Sequence, residues 1–291
     1  MTEPVVIDKG EGGLERARVT GPRGEAELYL QGAHLTRWQP RGAAQPVLFM
    51  SSRAVYAPGK AIRGGVPLIF PWFGPHATDK SKPMHGFARS RPWRVTATES
   101  APDGAAVLEL GLDDDDATRA LWPHPFRARF RVTVGDTLGM ALEVVNTGRS
   151  PLTFEAALHT YLTVADVRTA GVRGLENTSF IDKVDGFTRK RLGAEPLKLT
   201  GETDRVFLGT RATCVVDDPG LRRRLSVDKT GSASTVVWNP WAAKCAEMAD
   251  MGPDDWRSMI CVETANASDD AVTVAPGAKH VMTATIRAEA V

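Results

Sequence analysis

Two side chains of this sequence stand where ordinary core packing would not put them. His159 lies in "TFEAALHTYLTV", Thr153 to Val164. Read as one strand, this run alternates. Phe154, Ala156, Leu158 and Leu162 share one face, and Glu155, His159, Tyr161 and Thr163 share the other. The second face is too polar for a simple core layer and is suited to lining a cleft. Glu263 lies in "SMICVET", Ser258 to Thr264, on the face of Met259 and Cys261, with Ile260 and Val262 opposite. A carboxylate within an apolar strand must be paired, hydrogen-bonded or kept neutral. Desolvation raises its pKa, as a general base working near neutral pH requires. An imidazole and such a carboxylate are the parts of an acid–base pair. Spacing alone leaves two plainer alternatives open, a hydrogen-bonded core histidine and a buried carboxylate paired with an arginine.

Arg63 and Arg89 bracket a segment rich in Pro and Gly, "IRGGVPLIFPWFGPHATDKSKPMHGFARSRPW". Gly64 and Gly65 let the backbone come close to a ligand. A guanidinium fixed beside such a turn is a natural clamp for phosphate or vicinal hydroxyls. A surface ion pair is the commoner fate of a single arginine. His85 sits just before Gly86 and four residues from Arg89. Asp204, in "GETDRVF", follows a glycine turn and by itself reads as an ordinary loop aspartate. Trp241 and Lys244, in "NPWAAKC", are weaker candidates for a pocket rim.

Composition bounds the partners. The 291 residues carry 36 basic and 35 acidic side chains, a net charge of +1, which argues against a nucleic-acid or anionic-membrane surface. An anion bound here must be met by a few local cations. No stretch of roughly 18 consecutive apolar residues is present, so no spanning helix is expected. The start of the chain, "MTEPVVIDKGEGG", has no signal-peptide pattern. The three cysteines, Cys214, Cys245 and Cys261, are far apart, which suggests reduced thiols in a cytoplasmic protein and no zinc site. There is no Gly-x-Gly-x-x-Gly or Walker loop, no Gly-x-Ser-x-Gly elbow and no His-Glu-x-x-His helix.

The elements that must hold these residues are strands. Alternating runs at 25–30, 93–100, 105–112, 127–134, 139–147, 153–164, 212–218, 234–239, 258–264 and 280–288 are separated by turn residues. Helical periods are nearly absent. The pattern predicts an all-β protein, a large antiparallel sandwich or barrel, with 1–291 as one domain. "DDDD", Asp113 to Asp116, reads as a solvated loop.

Taken together, the segments "AIRGGVPLIFPWFGP", "MHGFARSRPWRV", "TRALWPHPF", "ALHTYLTV", "ETDRVF", "VVWNPW" and "MADMGPDDWRSMICVET" resemble the aldose 1-epimerase superfamily. They are most similar to its hexose-6-phosphate branch, the glucose-6-phosphate 1-epimerases or YeaD-like proteins. The segments stand in the family's order and cover nearly all of 30–290. The resemblance implies a galactose mutarotase-like supersandwich with the sugar site on its concave sheet. It implies an isomerase acting on a sugar phosphate without cofactor or metal. His159 would be the general acid and Glu263 the general base, and Arg63, His85, Arg89 and Asp204 would bind substrate. His159 would enter the reaction charged, and acid and base would bracket one hemiacetal across a cavity. No nucleic acid, membrane or second subunit is implied, so a monomer is expected. Two other functions remain open, a mutarotase of free hexoses and a non-catalytic sugar-binding module. Where many relatives have glutamine before His-Gly-Phe-Ala-Arg, this chain has Met84, whose thioether cannot donate the amide's hydrogen bonds.

Overall fold

The computed structural model describes residues 5–101 and 103–291. Two eight-stranded sheets dominate it. One, the back sheet, runs in the order Gly171–Arg173, Cys214–Asp218, Arg223–Thr230, Lys279–Ala290, Thr137–Asn146, Phe126–Val134, Ala106–Asp113 and Arg94–Ser100. Its ladders are antiparallel. Strict alternation explains why. In Phe126–Val134 the residues Phe126, Ala128, Phe130, Val132 and Val134 are buried, while Arg129 and Arg131 turn outward to Asp113 and Glu99. Leu138, Met140, Leu142 and Val144 repeat the pattern on the next strand.

The other, the front sheet, runs Thr188–Arg191, Ser179–Asp182, Thr203–Leu208, Ser234–Asn239, Met259–Asn266, Ala156–Leu158 and Leu68–Ile69, with Tyr161–Thr163 also paired on Met259–Asn266. Its ladders too are antiparallel. A single apolar cluster joins Phe130, Leu142 and Ile286 of the back sheet to Leu158, Val237, Ile260 and Val262 of the front sheet. Met259–Asn266 is buried along its whole length, because its opposite face is covered too. That face carries a smaller cluster of Ile69, Ala157, Ile181, Val206, Val236 and Ala265, with Phe73 packed against it. A four-stranded sheet (Val5–Lys9, Glu15–Gly21, Gly24–Tyr29 and His34–Pro40) and the pair Leu152–Phe154 with Val272–Val274 complete the architecture.

Three expectations change. The run at 153–164 is not one strand. It is three short pieces, Leu152–Phe154, Ala156–Leu158 and Tyr161–Thr163. The amide of Glu155 turns to the carbonyl of Pro71, and its carboxylate accepts from the amides of Phe73 (3.0 Å) and Ser268 (2.7 Å), so Glu155 ties loops together. "DDDD" is not a free loop. Asp113 ends a strand and pairs with Arg129, Asp114 holds Arg119, and Asp115 caps the helix Asp116–Leu121 through a reciprocal bond with Thr118. Asp204 belongs to the strand Thr203–Leu208, not to a loop.

Candidate active site

Strand register builds the site before any side chain is considered. Ile181 stands opposite Val206, Val206 opposite Val236, and Val236 opposite Glu263. The adjoining row of the same face runs from Asp204 through Trp238 and Cys261 to Tyr161. Lys183, two residues beyond Ile181, extends that face. The ladder between Leu158–Thr264 and Tyr161–Cys261 is interrupted, with the amide of Val262 bonded to the carbonyl of Thr160 at 3.1 Å. The count of residues is equal on both sides of that gap, so His159 falls opposite Glu263. Their Nδ1 and Oε1 atoms are 3.4 Å apart. Both side chains are almost fully buried. His159 Nδ1 and Glu263 Oε2 have no hydrogen-bond partner among the described residues. Unpartnered buried polar atoms are costly and rare, and here two of them meet at one cavity.

That cavity, about 160 Å³, is lined by Arg63, Phe73, Met84, His85, Arg89, His159, Lys183, Asp204, Trp238 and Glu263. All six sequence-derived candidates are therefore brought together. Lys183, Phe73 and Trp238 join them, whereas Trp241 and Lys244 do not. Trp241 packs on Trp256 at 4.6 Å, and Lys244 pairs with Glu247 at 3.0 Å. Lys183 sits 2.8 Å from Asp204 and 5.0 Å over the ring of Phe73. Larger cavities of about 410 Å³ lie elsewhere, one of them around Asp217, Asp218 and Arg222 to Arg224, where arginines take up both carboxylates.

Each arginine is held differently. Arg63 donates to Asp250 through Nε at 3.1 Å and to the hydroxyl of Tyr161 through Nη1 at 3.0 Å. Burial works against its charge, but Tyr161 and Asp250 outweigh burial and keep its pKa above the ordinary range. Arg89 has no carboxylate within 4.0 Å among the described residues; it donates to the backbone carbonyl of Met84 at 2.8 Å. Burial, and then the charge of Arg63, push its pKa down to about 10. Met84 thus serves Arg89 through its main chain while its side chain, half exposed, lies at the mouth of the cavity. Beneath these arginines the glycines of "IRGG" carry the fold. Gly65 has φ +59°, and a Cβ there would sit 2.1 Å from the carbonyl oxygen of Leu35. Gly65→Ala is expected to destabilise the protein by more than about 1 kcal/mol, read as a lower midpoint in urea unfolding with an unchanged m-value.

Electrostatics separate the two central groups. Burial, then Arg89 and Arg63, hold His159 well below the usual imidazole range. Burial, then the charge of Asp204, holds Glu263 well above the usual carboxylate range. Both shifts run toward the uncharged forms, a neutral imidazole beside a carboxylic acid. That direction runs against the charged imidazole expected at the start of the reaction. The second difference is spatial. His159 and Glu263 stand side by side on one wall, not on opposite sides of a cavity. His85 is neutral as well, held low by burial and then by Arg89. Its Nδ1 accepts from the amide of Gly74 at 3.1 Å, so the ring proton is on Nε2 and the ring acts as a hydrogen-bond donor. Its φ of +65° is the kind of strain that a site tolerates when its surroundings fix it. The ring of Tyr161 stacks on His159 at 4.8 Å, nearly parallel at 8°. Cys261 stands beside the pair, and burial keeps it a thiol.

Lys183 and Asp250 escaped the reading of the sequence, whereas Tyr161 was already placed on the polar face with His159. Alternation across Ser179–Asp182 would have found Lys183 had so short a run been taken as a strand, whereas Asp250 lies in a loop with no periodic signal.

Comparison with known proteins bears on the family and the fold. The family model described as Aldose 1-epimerase matches residues 16–287. A protein of Escherichia coli (strain K12) named "Putative glucose-6-phosphate 1-epimerase" is 37% identical over 266 residues, covering 91% of this chain and 88% of its own length. The crystal structure of a "putative mutarotase (YeaD)" from Salmonella typhimurium superposes with a TM-score of 0.92 at 33% identity, covering 100% of this chain and 95% of that one. A galactose mutarotase-like protein from Clostridium acetobutylicum shares the fold at 13% identity, with a TM-score of 0.74 and coverage of 99% and 98%.

Proposed function

This chain belongs to the aldose 1-epimerase family, and we propose that it interconverts the α and β anomers of a hexose 6-phosphate, glucose 6-phosphate foremost. The observation that carries this reading is the His159–Glu263 pair, 3.4 Å apart in a cavity that two arginines and a lysine also line. Anomer exchange needs one bond broken and remade, between C1 and the ring oxygen O5. His159 gives a proton to O5 as Glu263 takes the proton of the C1 hydroxyl, and the ring opens to an aldehyde. Rotation about C1–C2 presents the other carbonyl face. Glu263 then returns its proton to the carbonyl oxygen as His159 takes back the proton of the C5 hydroxyl. Both oxygens end on C1, so a donor and an acceptor side by side suit the reaction better than a pair set far apart. No electron is gained or lost, and the proton count closes on the two residues.

The pair's preference for neutrality has a place in this scheme. After ring opening His159 is neutral and Glu263 protonated, which is the state that burial favours. The ring-closed complex needs the imidazolium, and a phosphate dianion beside Arg63 and Arg89 offsets the two charges that oppose it. Substrate binding thus charges the acid, and the buried site favours the state in which the sugar is open. His85 and Asp204 would hold the sugar hydroxyls, and Arg63 with Arg89 would meet the phosphate. General acid–base steps of this kind contribute about 100- to 10,000-fold each.

Anomer-exchange NMR on glucose 6-phosphate, with and without the protein, tests the proposal. The expected result is exchange well above the spontaneous rate, and faster than on glucose at equal concentration. Faster exchange on glucose would favour a free-hexose mutarotase, and sugar binding without exchange would favour a binding module.

A further inference from the structure

We propose that the 6-phosphate is seated in a second cavity behind the arginines, and that Lys60 is a specificity-determining cation there. The inference rests on the hexose-phosphate reading and extends it. The cavity beside His159 and Glu263, about 160 Å³, falls below the roughly 300–1,000 Å³ of ordinary small-molecule sites. A second cavity of about 350 Å³ is lined by Val55, Lys60, Ala61, Ile62, Arg63, Pro67, Arg89 and Asp250. Arg63 and Arg89 line both cavities. The two arginines therefore join the cavity of the His159–Glu263 pair to one with room for a further anionic group.

The charges fit. Lys60, Arg63 and Arg89 supply three positive charges and Asp250 one negative, a formal +2. A phosphate monoester carries about −1.5 to −2 at neutral pH. Asp250 is already held by Arg63 at 3.0 Å, so it neither repels an incoming anion at full strength nor leaves Arg63 free to swing. The smaller cavity is the poorer seat, since there the phosphate would meet Asp204 and Glu263. Lys60 forms no ion pair within 4.0 Å among the described residues. Its main chain is nevertheless fixed, with its amide on the carbonyl of Ala57 at 3.1 Å and its carbonyl on the side-chain amide of Gln31 at 3.1 Å. Lys60 is exposed, so its ammonium stands uncommitted on a pinned backbone at the edge of this cavity.

The test compares kcat/KM on glucose 6-phosphate with that on glucose for the wild type, Lys60→Glu and Lys60→Arg. It adds inorganic phosphate as a competitive inhibitor and a thermal melt for folding. Losing a hydrogen bond to a charged group is worth about tenfold or more. Lys60→Glu is therefore expected to lower the phosphorylated-to-free ratio by at least about that factor and to weaken inhibition by phosphate in step, with Lys60→Arg retaining both. A wild type that prefers the phosphorylated sugar, with the same ratio in Lys60→Glu, overturns the role of Lys60 and leaves the function standing. A wild type with no such preference overturns the hexose-phosphate reading and this inference with it.

Discussion

Glu263→Gln is expected to lower kcat for anomer exchange by about 100- to 10,000-fold while KM for glucose 6-phosphate stays close to its original value. Glutamine keeps the size of the side chain and fills the same place opposite Val236. What it loses is the ability to take a proton from the C1 hydroxyl. Stopped polarimetry or NMR exchange reads the rate directly, and a residual rate near that of the wild type would remove Glu263 from the chemistry. The same variant carries a second, independent signature. Burial raises the pKa of Glu263, so in the wild type the folded state binds this proton more tightly than the unfolded state does. Stability is then fully present below the ordinary glutamate value of about 4.3 and declines as pH rises toward the folded pKa. The substituted amide does not titrate and escapes that decline. The variant should therefore gain stability over the wild type as pH rises from acid to neutral, with little difference at low pH. Urea midpoints measured across that range check it. Lost activity with gained stability is what a site strained for function yields.

His159 acts on the opposite limb. Its depressed pKa means that the folded state holds this proton more weakly than the unfolded state. The stability linked to it is present above the ordinary imidazole value of about 6.5 and is lost as pH falls toward the folded pKa. The two groups thus pull the stability profile from both sides.

How far the sequence discloses this site depends on the residue. Runs with clean alternation and turn residues at both ends read as strands with small boundary errors. "STVVWN" coincides with Ser234–Asn239, and "RARFRVTV" with all but the first residue of Phe126–Val134. Thr188–Arg191 is exposed at all four positions and Ser179–Asp182 has four residues, so neither carries the alternation that marks a half-buried strand. Missing these two hid Lys183. His159 and Glu263 were legible for the reverse reason. They are polar groups within apolar runs, and sequence rules fail most informatively at sites of this kind. That they face each other was not legible, because pairing register between strands about a hundred residues apart is a property of the assembled sheet. The direction in which each group's titration is pushed was hidden too. It depends on Arg89 lacking a carboxylate partner among the described residues and on Asp204 standing near Glu263, and neither follows from spacing.

Arg63→Ala is expected to raise KM for glucose 6-phosphate far more than KM for glucose, and to cost more than the loss of one phosphate contact. Arg63 is the joint of the site. Its guanidinium ties Asp250, 187 residues away in sequence, to Tyr161, whose ring backs His159. Truncation removes the charge proposed to meet the phosphate, and among the described residues it also leaves the Asp250 carboxylate with no partner. Breaking a buried pair by removing one member costs about 3–5 kcal/mol; Asp250 is only partly buried, so the structural share lies toward or below the bottom of that range. A double-mutant cycle separates the two losses. Asp250→Asn removes the orphaned charge, and adding it to Arg63→Ala should restore the unfolding midpoint without restoring KM for the phosphorylated sugar. If the double variant recovered KM as well, Arg63 would be a scaffold for Asp250 and Tyr161 rather than a reader of phosphate, and Arg89 with Lys60 would have to hold the anion alone.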